Sequence, residues 1–199
     1  MFSKYLVFTG RPNAGKSSLI KEIVGLDLKT GKYPGTTKQI SEYPLGKGLI
    51  LIDMPGYGKM MRVSKRLENK INRRIIHFLE SNSQNIALAV HVLDISTFLE
   101  VTERLDKKGF ISLDIEMIQL LKKTTGEFPL VAANKTDKGD RKEIDRNLRA
   151  FEEEISERHP IVLEEHVFPV SVKTGFGVGA LKSAIHGRLV IKGYKTPFK

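Results

Sequence analysis

Residues 10–17 read Gly10-Arg11-Pro12-Asn13-Ala14-Gly15-Lys16-Ser17, with Ser18 following. The run satisfies G-x4-G-K-[ST], and its surroundings match what that pattern requires. An apolar run at 5–8 precedes it, and apolar residues at helical spacing over 15–24, closed by Gly25, follow it. The stretch therefore predicts a buried strand, a loop and a helix in succession. Glycines let backbone amides turn inward with no Cβ in the way. Those amides and the helix start form a cradle for phosphate oxygens. Lys16 is placed to reach β- and γ-phosphates as a point charge, and the Ser17 hydroxyl to ligate Mg²⁺. With glycine at about 7% of average usage, a chance match in a chain this long is roughly one in a hundred.

Outward from the loop, strand and helix patterns alternate. Strands are expected at 40–43, 49–52, 86–93, 130–133 and 167–170, and helices at 62–79, 113–123, 142–157 and 179–191. The pair 40–43 and 49–52 flanks Pro44-Leu45-Gly46-Lys47-Gly48 and reads as antiparallel. The fold class is α/β: a P-loop NTPase G domain with a mostly parallel six-stranded sheet, one antiparallel pair and helices on both faces. In such sheets ligands sit beyond the carboxyl ends of the strands, so the segments that follow strands carry the chemistry.

Three such segments are informative. Asn134-Lys135-Thr136-Asp137 follows the strand at 130–133. A carboxylate there accepts from guanine N1–H and N2, and repels adenine, whose N1 is an acceptor. Asn134 can tie base and phosphate loop together, and the Lys135 stem can lie over the ring. Asp53-Met54-Pro55-Gly56 follows 49–52. Asp53 would hold Mg²⁺ through water, and the Gly56 amide would touch the γ-phosphate. Pro34-Gly35-Thr36-Thr37-Lys38 lies after the first helix, where the Thr37 hydroxyl would complete the Mg²⁺ shell when the γ-phosphate is present. Lys16, Thr37 and Gly56 are thus the residues assigned to hydrolysis. Val170-Ser171-Val172-Lys173, after the sixth strand, would offer a backbone amide to guanine O6. The phosphate loop, D-x-P-G and N-K-x-D occur together by chance about once in a hundred thousand sequences, so guanine-nucleotide binding is the reading.

Composition bounds the rest. At 199 residues the chain reads as one domain, 1–199, long enough to bury about 70% of its unfolded surface. It has no cysteine, which excludes disulfides, thiolate metal sites and cysteine nucleophiles and fits a reducing, cytoplasmic setting. The apolar runs are short of a membrane span. The five histidines lack ligand spacing, and His91, inside a strand, reads as a satisfied core residue. The net charge of +10 is localised. Residues 59–74 hold seven basic side chains against Glu68, a net of +6, and 167–199 hold six and no acid. Lys59, Arg62, Arg66, Lys70 and Arg73 step by three or four beside an apolar row of Val63, Leu67, Ile71, Ile75 and Phe78. That pattern is either a solvated helix face or a row of cations for phosphate backbones.

With these motifs in place, the chain resembles the translation-factor-related GTPases, and most closely the EngB (YihA) family of ribosome-assembly GTPases. Asp53-Met54-Pro55-Gly56-Tyr57-Gly58 carries the likeness, since that family reads D-x-P-G-Y-G, and residues 10–18 and 34–38 look like its phosphate loop and first switch. The resemblance covers essentially the whole chain. It implies a single EngB-type G domain, GTP and GDP as ligands, Mg²⁺ as cofactor, and ribosomal RNA or a precursor particle as partner, with the large subunit favoured. DNA and membrane are not implied, and a monomer is the expectation. The guanine motif begins with Asn134 where many bacterial members have Thr. The stretch 95–112 looks longer, as a charged insertion around 100–108. Tyr57 stands where signalling GTPases often carry a water-orienting glutamine, so hydrolysis is expected to be slow and to need a partner or a cation. Asn13 sits where cation-activated relatives hold potassium, or else bonds within its loop. A regulatory switch acting on a protein effector is the alternative from another class.

Overall fold

The computed structural model describes residues 3–25, 39–46, 48–58, 65–107, 109–158 and 163–194. Gly35, Thr36, Thr37, Lys38, Lys59 and Arg62 lie outside the described residues. Six strands, β1 (Lys4–Gly10), β2 (Ser41–Gly46), β3 (Leu49–Asp53), β4 (Ile86–Asp94), β5 (Leu130–Asn134) and β6 (Val167–Pro169), form one sheet in the order β2-β3-β1-β4-β5-β6. Only β2 runs antiparallel to its neighbour β3; the other four pairings are parallel. The helices are α1 (Lys16–Val24), α2 (Lys65–Ser81), α3 (Phe98–Asp106), α4 (Leu113–Thr125), α5 (Arg141–Ser156) and α6 (Val178–Ile191).

Alternation along the strands splits the core. Leu6 and Phe8 of β1 join Leu88 and Val90 of β4 on one face, where α1 (Leu19, Ile20, Ile23) and α6 (Leu181, Ile185, Leu189) cover them. Val7 points the other way, with Ile52 and Ala89, onto α2 (Ile71, Ile75) and α4 (Met117, Leu121). A third apolar cluster joins Val131 and Ala133 of β5 to α3, α4 and α5. The expected sheet class is therefore present, with element ends within about three residues of those read from the sequence.

The segment 95–112, expected to hold a charged insertion, has regular structure. It forms a short 3₁₀ turn, Ile95–Thr97, and then α3. Phe98 is buried and meets Phe151 of α5 edge-on, with ring centroids 5.2 Å apart at 88°. The Leu99 amide donates to Asn147 Oδ1 at 2.8 Å. The charged residues of α3 lie on its outer side, so a row of Glu and Lys hides a packed helix.

Parallel pairing brings the strand ends to one edge. Phe8 pairs with Asp53 and Asp94 with Asn134, so the loop after β1, the end of β3, the end of β4 and the 134–137 segment share one rim. Helix capping differs along that rim. Ser112 caps α4 by accepting from Asp114 N, and Asp140 caps α5 by accepting from Glu143 N at 2.8 Å. α1 has no side-chain cap; Gly15 enters it at φ 95°. The orphan amides of α1 are the ones that face the loop at 10–17.

Candidate functional site

The rim has an electrostatic centre. Lys16, the first residue of α1, is only 5% exposed, and its Nζ donates to Asp53 Oδ1. Burial holds the Lys16 ammonium below the usual lysine value, and the Asp53 carboxylate partly offsets that. Ser17 Oγ donates to the other oxygen, Asp53 Oδ2, at 3.2 Å. A hydroxyl and a carboxylate converge here beside a cationic amine. Oxygen donors of this kind fit a hard divalent ion such as Mg²⁺.

Close approach explains two glycines. A Cβ on Gly15, already at φ 95°, would run into Asn134 Nδ2. A Cβ on Gly56 would stand 2.8 Å from both the ring and the backbone nitrogen of Pro12. Gly56 therefore lies flat on the phosphate loop. Asn13, exposed and left-handed at φ 66°, makes no side-chain hydrogen bond to any described residue, so the loop-internal bond is not formed.

The 134–137 segment is built as a rigid unit. Asn134 Nδ2 donates to Ala14 O at 2.8 Å, and its Oδ1 accepts from Val172 N at 3.2 Å, joining three loops through one buried amide. Lys135, at φ 70°, reaches Asp94 Oδ2 at 2.5 Å. Thr136 N donates to Val170 O at 3.2 Å. Ser171 Oγ donates to Asp137 Oδ1 at 2.6 Å, and the Lys173 ammonium stands 3.7 Å from Asp137 Oδ2. The Ser171 hydroxyl is the main cause holding the Asp137 carboxyl below the usual carboxylate range, with Lys173 adding to it. The Val172 amide is engaged by Asn134 and the Ser171 amide by Phe176 O at 2.9 Å. Lys173 N, by contrast, donates to no described residue.

All the described members of the predicted set meet at this rim: residues 10–18, Asp53 to Gly56, Asn134 to Asp137, and Val170 to Val172. Tyr57 does not join them. Its ring turns inward, 5% exposed, and its hydroxyl donates to Asp114 Oδ1 at 3.0 Å. The cations divide. Arg66, Lys70 and Arg73 are exposed on α2, while Ile71 and Ile75 on its other side are buried. In the second basic block, Lys192 pairs with Glu127 at 2.7 Å, and Arg188 donates to Glu165 O at 3.4 Å.

The family model described as "50S ribosome-binding GTPase" matches residues 5–135. A curated relative from Methanopyrus kandleri, named "Probable GTP-binding protein EngB", is 37% identical over 95% of this chain and 94% of its own length. The Methanococcus maripaludis protein of the same name is 33% identical over 94% of this chain and 80% of its own. The chain belongs to the EngB family of GTPases. A crystal structure of an engB GTP-binding protein superposes with a TM-score of 0.80 at 33% identity, covering 94% of this chain and 99% of that one. A structure of Aquifex aeolicus Era bound to GDP·AlF₄⁻ shares the fold, with a TM-score of 0.60 at 22% identity over 93% of this chain and 56% of that one. Membership makes this EngB chain a GTP-binding protein and a GTPase. No helix among the described residues is long and apolar enough to cross a membrane.

Sequence reading missed Asp94, the partner of Lys135, although it ends a strand on the same rim. It also missed Asp114, whose place in the first turn of α4 gives no sign of its role. Ser171→Ala is expected to raise the Asp137 pKa toward its ordinary value, read by NMR titration of that carboxyl. The sign follows from the depressed folded value. Asp137 supports the folded state above the unfolded aspartate value of about 3.9 and loses that support as pH falls through its lower folded value. The variant's denaturation midpoint is therefore expected to fall further below wild type at pH 7 than at acid pH, where only the Thr174 amide bond to Ser171 Oγ is still missed.

Proposed function

We propose that this EngB GTPase is a slow, Mg²⁺-dependent switch of a single domain that acts in assembly of the large ribosomal subunit, meeting ribosomal RNA through α2. The observation that carries the reading is the placement of α2. Its exposed Arg66, Lys70 and Arg73 follow directly on the loop that ends β3, and the Gly58 amide of that loop donates to Asn72 Oδ1 of α2 at 3.1 Å. A change in that loop on nucleotide exchange is transmitted to a row of cations. The family description, a 50S ribosome-binding GTPase, agrees with it.

In this reading the amides of residues 13–18 and the Lys16 ammonium bind the β- and γ-phosphates, displacing Asp53 from its direct bond to Lys16. Ser17, Thr37 and Asp53 are the residues that would hold Mg²⁺, which when bound would supply positive charge against the phosphates. The Gly56 amide and Thr37 sense the γ-phosphate. Asp137 accepts from guanine N1–H and N2, Lys135 lies over the ring, and, with the Ser171 and Val172 amides engaged, the Lys173 amide is the one of that segment left to donate to O6. With Tyr57 turned inward, no side chain at that position orients the attacking water, hence the slow rate. Asn13 is free to ligate potassium, whose charge beside the phosphoryl group would stand in for an arginine finger.

One observation favours the second reading, a switch acting on a protein effector. A groove of about 410 Å³ lies between β2, the loop after β3 and α2, with Ile40, Pro55, Ile71 and Phe78 in its wall and Arg74 and His77 at its side. Its apolar floor suits a protein side chain better than a phosphate backbone.

Three measurements separate these claims. Asp137→Asn is expected to weaken GTP on the order of a hundredfold, two charge-assisted hydrogen bonds being lost, and to gain xanthosine triphosphate. Retained GTP preference would remove Asp137 as the guanine reader. Turnover in KCl is expected to exceed that in NaCl, and equal rates would return Asn13 to a structural role. The decisive experiment is sedimentation with ribosomal particles. Co-migration with large subunits is expected with a non-hydrolysable GTP analogue and not with GDP, and to be lost in Arg66→Glu/Lys70→Glu/Arg73→Glu at unchanged nucleotide affinity. Absence of binding in both states would favour a protein effector at the Ile40–Phe78 groove.

A further inference from the structure

Four buried side chains that nucleotide binding does not use, Thr9, Tyr57, His91 and Asp114, form one connected set. His91, in the middle of β4, is fully buried; its Nδ1 lies 3.0 Å from Thr9 Oγ1 and its Nε2 lies 3.2 Å from Asp114 Oδ1. The Tyr57 hydroxyl is 3.0 Å from the same Asp114 oxygen and 3.3 Å from His91 Nε2. Arg11 of the phosphate loop, one-third exposed, reaches the other carboxylate oxygen, Asp114 Oδ2, at 3.7 Å. A carboxylate only accepts. The set is therefore satisfied when His91 carries its hydrogen on Nε2, Thr9 donates to Nδ1, and His91 and Tyr57 donate to Asp114, with Arg11 beside it as an ion-pair partner. Five residues from five separate segments are fastened together, and Asp114 is at the junction.

We infer that Asp114 is a common anchor for the phosphate loop and the loop that follows β3, and that Tyr57 is a positioning residue whose hydroxyl sets the Gly56 amide for the γ-phosphate. The argument is geometric. Gly56 is pressed against Pro12, the neighbour of Arg11, and is followed at once by Tyr57. The two loops that must close on a γ-phosphate are thus each held to the same carboxylate, one through Arg11 and one through Tyr57. A rigid frame of this kind sets the gap between them before the nucleotide arrives, which is how preorganisation favours one ligand state over another. The inference also gives the aromatic residue of D-x-P-G-Y-G a task. Its ring packs with Met54, Ile71 and Ile75 in the core, and its oxygen ties the loop to α4 and β4. This rests on the reading of Gly56 as a γ-phosphate contact.

Tyr57→Phe isolates the hydroxyl. The ring stays, and Asp114 keeps His91 and Arg11, so no buried charge is orphaned and the melting temperature tests that the fold holds. Expected are GDP affinity within twofold of wild type, affinity for a non-hydrolysable GTP analogue down roughly tenfold, and kcat for GTP down by a similar factor, the scale of one hydrogen bond to a charged group. Asp114→Asn, which also weakens the hold on Arg11, should weaken the analogue at least as much, and the double variant should be no worse than Asp114→Asn alone, because Tyr57 acts through Asp114. The inference is overturned if Tyr57→Phe leaves all three readouts unchanged. It is also overturned if GDP and the analogue weaken equally alongside a lower melting temperature, or if the two variants' effects add in full. Gly56→Ala tests the underlying reading separately. If it spares the analogue while Tyr57→Phe weakens it, the anchor stands and the Gly56 assignment fails; if it alone weakens the analogue, the anchor fails and the assignment stands.

Discussion

An ammonium group that is 5% exposed needs a negative partner within reach, and Lys16 has Asp53. The cost of leaving either charge buried alone is several kcal/mol, about 3–5 in typical cases, so this pairing constrains the architecture around it. Lys16 opens α1 and Asp53 closes β3. They meet only if β3 lies parallel beside β1, in the register that sets Phe8 opposite Asp53. That placement requires the chain to leave β1, cross behind the sheet through α1, and return through the β2–β3 pair. The same pairing makes the site responsive. Under the proposed function, a phosphate entering the loop would compete with Asp53 for the ammonium and leave the carboxylate beside the Ser17 hydroxyl that already donates to it.

What the sequence made legible is what depends on neighbours in the chain. The phosphate loop, the Asp53–Gly58 run and the Asn134–Asp137 run are each contiguous, and each chemistry can be worked out from residue types at fixed offsets. The parallel sheet was readable because buried strands announce themselves as short apolar runs between helical periods. The helix α3 was not. Of its nine residues only Phe98 and Thr102 are buried, and the charges on its outer side dominate the composition. Its signal was the spacing of Phe98, Val101 and Leu105, which is helical but too brief to stand out. The ion pairing of the second basic block was equally hidden. Nothing in residues 167–199 shows that the fold will bring Glu127 to Lys192. The Asp114 network was illegible in principle, since its hydrogen bonds join residues 23 to 82 positions apart.

The amphipathic order of α2 acquires its meaning from what precedes it. A helix with Ile71 and Ile75 buried and Arg66, Lys70 and Arg73 in water is an ordinary way to cover a sheet. Here its packed side shares one apolar cluster with Met54 and Tyr57 of the loop ending β3, and Asn72 takes the Gly58 amide. The loop cannot shift as a unit without disturbing either that cluster or that hydrogen bond. Packed interiors respond to such displacement by moving between discrete arrangements, not by bending smoothly.

The inward turn of Tyr57 resolves an apparent conflict between a complete nucleotide site and the want of a water-orienting side chain after Gly56. A side chain cannot both anchor the loop to the core and reach into solvent to hold a water. In this chain the position serves anchoring: its hydroxyl is spent on Asp114 and His91, and burial and the Asp114 carboxylate push its pKa well above the usual tyrosine value, so it stays a donor at neutral pH. The chemistry that a glutamine would supply must then come from a group outside this loop. Under the proposed function, such a division would leave the timing of hydrolysis with whatever supplies that group.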